Sequence, residues 1–181
     1  MKIAVVGAAG MVGSRVVAEA VNRGHDVTPV HRGSPLALSE VDAVVAATRP
    51  RPGQEAEAGP TTRALLDAAL AAGTRILVVG GAAPLRSPNG GLVLDDSRYV
   101  PPHIRPIAAA SVQQFEVCQE HAADWVYLSP PALLEPGERT GSYRRGRDEL
   151  LGERISAEDL AVAVLDELEQ PRQDRHFTVA S

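Results

Sequence analysis

Short, uniformly apolar runs recur along this chain, separated by stretches in which apolar residues return every three to four positions. Runs of the first kind suit strands buried on both faces; the second suits amphipathic helices. The first run, Lys2-Ile-Ala-Val-Val-Gly7, is followed by a helical pattern from Met11 to Asn22 that stops at Gly24. Further strands are predicted at Asp26 to His31, Val41 to Ala47, Thr74 to Gly80 and Trp125 to Ser129, with a final one at Arg175 to Ala180. Between them, helices are predicted over Thr61 to Ala72, with Pro60 in the first turn and Gly73 at the end, and over Ile107 to His121, opened by Pro106. Ser156 and Asp159 have capping-box spacing and open a helix to Glu169, which Pro171 stops. Two stretches read as loops, Pro84 to Pro102 and Leu134 to Gly141, and Ser142 to Arg145 reads as a short strand.

Regular strand-helix alternation predicts an α/β fold: a Rossmann-like, doubly wound, mostly parallel sheet with helices on both faces. One feature departs from that plan. Only Arg32 to Glu40 separate His31 from the next strand, too few residues for a helix and another strand. In a sheet ordered 3-2-1-4-5-6 the third strand lies at an edge, so its loss truncates the sheet there and uncovers strand two without cutting the core. Residues 1–181 are read as one nucleotide-binding domain, with 132–181 as a small substrate-side elaboration.

The chain has 181 residues, enough for one core, and a net charge of −5 that gives no basic excess for a nucleic-acid surface. A single cysteine, Cys118, excludes an intrachain disulfide and reads as a small buried apolar residue. With no run approaching a membrane span, and Met1-Lys2 leading straight into a strand, a cytoplasmic setting without membrane attachment is expected.

Candidate chemistry gathers where the strands end. Gly7, Gly10 and Gly13, spaced for a dinucleotide-binding turn, place Gly7, Ala9, Gly10, Met11, Val12 and Gly13 around a pyrophosphate, with helix N–H groups facing it. At the end of strand two, an acidic residue would accept bonds from an adenosine 2′-hydroxyl, whereas His31-Arg32-Gly33 offers an arginine suited to a 2′-phosphate. NADP(H) is therefore favoured over NAD(H), the alternative for Arg32 being a solvated loop charge. Ala47 and Thr48 end a central strand beside the topological switch point, where Arg49 and Arg51 could reach phosphate or an anionic substrate, or remain solvated. Gly80 and Gly81 would let a ring lie close to backbone. Asp95 and Asp96 read as a solvated turn, so no metal site is expected.

Gly7-Ala-Ala-Gly-Met-Val-Gly13, Val79-Gly-Gly-Ala82, Asp124-Trp-Val-Tyr-Leu-Ser-Pro-Pro-Ala132, Pro136-Gly-Glu-Arg-Thr-Gly141 and Ile155-Ser-Ala-Glu-Asp-Leu-Ala161 together resemble the NADH-flavin reductase group. That group is similar to biliverdin reductase B and belongs to the atypical, NmrA-like short-chain dehydrogenase/reductases. The resemblance covers nearly the whole chain; the missing βα unit and a shorter, proline-rich loop before Pro106 depart from it. It implies an NAD(P)H-dependent reductase of a small molecule, with Ser129 and Pro130 beside the nicotinamide and a flavin, quinone-like or other conjugated acceptor. The wider superfamily uses Tyr-x-x-x-Lys, yet Tyr99, Tyr127 and Tyr143 all lack that lysine, and Lys2 is the only lysine present. Direct hydride transfer, which needs chiefly positioning of two rings, fits better. His103 and Arg105 stand roughly where the group has a Tyr-Lys pair before a proline, which makes them the candidate catalytic residues; an exposed loop histidine is the alternative for His103. Two other functions fit the same residues: a non-redox cyclase, isomerase or dehydratase, and an NADP(H)-sensing regulatory protein. The uncovered edge also admits a homodimer.

Overall fold

The structure, a computed structural model, describes residues 1–31, 37–38 and 40–181. In chain order the elements are β1 (Lys2–Val6), α1 (Met11–Asn22), β2 (Asp26–Val30), β3 (Ala43–Ala46), α2 (Ala58–Ala72), β4 (Arg75–Val79), α3 (Arg105–Gln119) and β5 (Trp125–Ser129). There follow β6 (Leu133–Glu135), β7 (Arg144–Gly146), β8 (Arg154–Ser156), α4 (Ala157–Glu169) and β9 (His176–Ala180). Seven strands form one sheet ordered β2-β1-β3-β4-β5-β9-β7, parallel throughout except that β7 runs antiparallel to β9.

Uniformly apolar runs become the central strands because both faces are covered. Ile3, Val5, Val45 and Leu77 pack with Val16 of α1 and Leu160 of α4, whereas Ala4, Val44 and Ile76 pack with Leu66 of α2 and Cys118 of α3. Burial pushes the Cys118 thiol up to about 12, so it stays an inert thiol of the core. Past each parallel strand that leads to a helix the chain turns back over the sheet, after a short connection from β1 to α1 and much longer ones from β4 to α3 and from β5 to α4, which sets every β-to-α loop along the carboxyl edge of the parallel strands.

The third-strand edge is truncated as the spacing predicts: β2 is terminal among the described residues, and Leu38, with Val30, closes the core on the α2 side. Arg32 to Leu36 and Ser39 lie outside the described residues. Asp26 N–H donates inward to Met1 O, so by the alternation of strand amides Val27 and Pro29 face outward. Proline has no N–H, leaving Val27 as the outward donor of this edge.

Differences from the expected elements are local. Helix α2 begins at Ala58, ahead of Thr61, after a 3₁₀ turn at Glu55–Glu57, because Pro60 in a first turn lacks only a donor with no intrahelical partner. The short strand expected at Ser142 to Arg145 is displaced to Arg144–Gly146 by its pairing with Thr178 to Ala180. Leu134 to Gly141, expected as loop throughout, begins in a strand: β6 pairs with β8 in a separate two-stranded parallel sheet. Three-residue strands carry no periodic signal, and this pair exists only because the intervening segment returns. Pro84 to Pro102 folds around its own small core of Leu85, Val93 and Val100, with a 3₁₀ turn at Val93–Asp95.

Candidate functional site

Gly7 has φ +85°, and a Cβ there would meet Ala47 O at 2.4 Å. A Cβ on Gly13 would meet Gly7 O at 2.1 Å, and one on Gly10 would lie 3.2 Å from the same oxygen. Gly10 and Gly13 therefore crowd the Gly7 carbonyl while Gly7 itself is pressed by Ala47, and Gly13 packs on the loop itself. Gly10 N–H donates to Gly7 O at 2.9 Å and Ser14 N–H to Gly10 O at 2.9 Å. Met11, Val12 and Gly13 thus keep N–H groups with no acceptor among the described residues, and no side chain caps them. Such a cluster at a helix N-terminus fits an oxyanion of a cofactor diphosphate. Ala9 and Met11 are exposed beside it.

The end of β3 adjoins this loop, and the ends of β4 and β5 follow along the same carboxyl edge. Ala47 N–H donates to Val6 O at 2.9 Å, which sets Ala47 and Thr48 next to Gly7. At Gly80 a Cβ would overlap the Tyr127 hydroxyl, and at Gly81 it would meet Ser111 Oγ at 3.0 Å. The space these glycines open is filled by the protein's own Tyr127 and Ser111. Tyr127 Oη lies 2.9 Å from Ser111 O and 3.1 Å from Gln114 Oε1, and burial pushes its pKa far above the usual phenol range. It is a core residue unable to supply a proton near neutrality.

Ser129 is completely buried: Thr178 Oγ1 donates to its carbonyl at 2.7 Å, and its Oγ lies 2.9 Å from His176 Nε2. Pro130 is buried at the strand's carboxyl end. His176 carries no motif and stands against Ser129 only because β9 pairs with β5, with Phe115 at a ring distance of 4.3 Å. Burial lowers its pKa to about 4, opposed by the charge of Asp148. A histidine kept neutral in the fold favours it above the unfolded pKa and loses that contribution as pH falls from about 6.5 through 4. Denaturant melts should therefore show wild type losing on the order of 2 kcal/mol more than His176→Gln between pH 7.5 and 4.5. Parallel losses would remove the assignment.

The two candidate catalytic residues flank the start of α3. His103 is exposed in a 3₁₀ turn at Pro102–Ile104. Arg105 donates to Leu94 O at 2.7 Å and to Asp95 Oδ1 at 2.8 Å, tying the start of α3 to the preceding loop. Asp96 accepts from Ser87 Oγ at 2.6 Å and from Arg98 Nε at 2.9 Å. Arg32 lies outside the described residues.

Pro136 to Gly141 forms a strap across α1 and α4. Gly137 N–H donates to Glu158 Oε2 at 2.7 Å, and Thr140 Oγ1 and Gly141 N–H donate to Asp159 at 2.6 and 2.8 Å. Arg139 grips Glu19 through two bonds of 2.7 and 2.8 Å, which with Arg23 hold that carboxyl at about 2. Ser156 Oγ accepts from Asp159 N–H and donates to Glu138 O, so strap and helix cap share one hydroxyl.

Residues 36–171 match the family described as NAD(P)H-binding. The chain belongs to that family. That membership is consistent with the atypical short-chain dehydrogenase/reductase group that its motifs resemble. The matched span begins after Gly13, so the glycine loop stands on its own geometry. The chain is 36% identical to the uncharacterized protein YwnB of Bacillus subtilis (strain 168), covering 100% of this chain and 99% of that one. Their alignment runs over 212 positions for 181 residues here, a difference of the size of one βα unit. Among solved structures, a candidate NADH-flavin reductase of Streptococcus pneumoniae TIGR4 has TM-score 0.88 and 26% identity, covering 100% of this chain and 99% of that one. A candidate epimerase of Bacteroides thetaiotaomicron has TM-score 0.84 and 33% identity, covering 99% and 96%. No helix among the described residues is long and apolar enough to cross a membrane.

Proposed function

We propose that this NAD(P)H-binding protein is a reductase that transfers hydride to a flavin, quinone-like or other conjugated small molecule without a Tyr-Lys acid pair. The observation that carries the reading is the set of N–H groups of Met11, Val12 and Gly13, unpaired among the described residues, at the carboxyl edge of β1, beside the end of β3 and on the same edge as the ends of β4 and β5. In this reading residues 1–181 act as one nucleotide-binding unit, and 132–181 walls the substrate side. Gly7, Ala9, Gly10, Met11, Val12 and Gly13 hold the diphosphate, Arg32 favours the 2′-phosphate of NADP(H), and Ala47, Thr48, Gly80 and Gly81 flank the nicotinamide half. Buried Ser129 orders the end of β5, so that backbone at Pro130 meets the ring. When bound, a reduced nicotinamide supplies the hydride. His103, exposed at the substrate side, is the proton donor in this scheme, and Arg105 an electrostatic anchor. Its ion pair with Asp95 supports a positioning role.

A second reading, a non-redox isomerase or related enzyme, is favoured by the position of β2 as the terminal strand, among the described residues, on the adenosine side and by the likeness to the candidate epimerase. Titration of the purified protein with NADPH and NADH decides between them. The reductase reading expects NADPH to bind at least about tenfold more tightly than NADH, with the difference lost in Arg32→Ala. Binding of neither would overturn it in favour of the non-redox enzyme. Mass in the same samples tests a homodimer through β2, for which Val27 is the outward donor; a monomer rules it out.

A further inference from the structure

Most described arginines are committed within the protein. Arg15 pairs with Glu158, Arg86 with Asp148, Arg105 with Asp95, Arg139 with Glu19 and Arg145 with Glu167. Arg172 and Arg175 have no carboxylate partner among the described residues, but both lie between α4 and β9, at the amino edge of the sheet. At the carboxyl edge, two exposed guanidinium groups have neither an ion pair nor a hydrogen bond among the described residues: Arg49 and Arg51. The acidic side chains nearest in sequence leave them so. Glu55 accepts from Gly53 N–H at 3.0 Å, and Glu57 opens the turn into α2, pairing with no arginine.

Their place in the sheet narrows what they could meet. Strand β3 lies on one side of β1 and β2 on the other, so the arm Thr48-Arg49-Pro50-Arg51-Pro52 leaves the sheet on the side of Gly7 opposite to the expected 2′-phosphate. Ala47 O already presses on the Gly7 turn, close enough to forbid a Cβ there. Arg49 follows two residues later, within about 7 Å of chain from that contact. Prolines after both arginines bias the arm toward extended backbone, in which positions two apart share a face.

We infer that Arg49 and Arg51 are the second jaw of a clamp on the cofactor's diphosphate, facing the N–H groups of Met11, Val12 and Gly13 across it. The inference rests on the dinucleotide-binding reading above. Guanidinium groups are suited to this task, since their planar forks match phosphate oxygens, and they add charge that backbone amides lack. The clamp also offsets contacts forgone at the truncated adenosine side, because the diphosphate is common to NADH and NADPH.

The test is nucleotide titration, by fluorescence or calorimetry, of the full chain and of Arg49→Ala, Arg51→Ala and the double variant. Thermal melts of each should match wild type, since both side chains are exposed and unpaired. Each single change should weaken NADH and NADPH alike by about tenfold, and the double change should flatten the dependence of affinity on salt. Inorganic pyrophosphate should displace NADH from wild type and do so poorly from the double variant; Arg49→Lys with Arg51→Lys should recover part of the affinity. Wild-type affinity for both nucleotides in the double variant would overturn the clamp while leaving the reductase reading intact. Weakening confined to NADPH would overturn it too, moving the contact to the 2′-phosphate. A wild-type protein that binds neither nucleotide would sink the underlying reading instead.

Discussion

Gly13→Ala is expected to abolish nucleotide binding and to lower stability by about 2–3 kcal/mol. Inside a helix this substitution ordinarily stabilises by close to 1 kcal/mol, because alanine loses less backbone entropy than glycine. Here the sign reverses, since the new methyl would sit 2.1 Å from Gly7 O and 2.7 Å from Gly7 C, both backbone atoms with nowhere to retreat. Gly7 is itself fixed on its other side by Ala47, so relief requires the turn to open. Opening moves the N–H groups of Met11, Val12 and Gly13 off their common point, and binding goes with them. Gly24→Ala is the control: φ is +78° but nothing lies within 4 Å, so only the conformational cost of about 1 kcal/mol applies and binding persists. Paired thermal melts and NADPH titrations read both effects. A Gly13→Ala protein that melts and binds like wild type would show that the loop does not hold the diphosphate as described.

Glu167→Ala should cost about 3–5 kcal/mol, the largest loss expected from a single charged side chain here. Its carboxylate has no exposure and takes Arg145 Nη1 at 2.9 Å, Arg75 Nη2 at 3.3 Å and the Arg172 N–H at 3.1 Å. These partners come from β7, from the start of β4 and from the chain after α4, so one side chain ties both halves of the sheet to a helix. Without it, Arg145 is left with no carboxylate partner among the described residues and Arg75 keeps only Asp124, at 3.9 Å; Arg145 lies 3.6 Å above the Phe177 ring and cannot swing freely to solvent. Adding Arg145→Met should recover part of the loss by removing one stranded cation. Denaturant melts measure it, and a Glu167→Ala loss below 1 kcal/mol would mean that solvent reaches the cluster.

The spacing of Gly7, Gly10 and Gly13 announced the tight glycine turn because Gly7 and Gly13 have no room for a Cβ and Gly10 has little. The nine residues between His31 and Val41 likewise announced a missing βα unit, since chain length bounds what can be built. Gly80 and Gly81 were legible as close-approach positions, yet what approaches is Tyr127 and Ser111. Pro136 to Gly141 was legible as a motif, while its work as a strap depends on Glu19, Glu158 and Asp159, which reach it from two helices.

Strand identity, helix position, sheet truncation and the glycine loop are written locally: burial of both faces, helix capping and forbidden Cβ positions act within a few residues. Pairings over long separations were not. His176 with Ser129, β6 with β8 and Glu167 with Arg75 and Arg145 join residues between 19 and 92 positions apart. A lone histidine, a three-residue strand or a buried carboxylate has no periodicity to betray its partner. Only the closed sheet, by fixing which strands lie side by side, decides which charges meet and that, among the described residues, Arg49 and Arg51 are left without a carboxylate at the carboxyl edge.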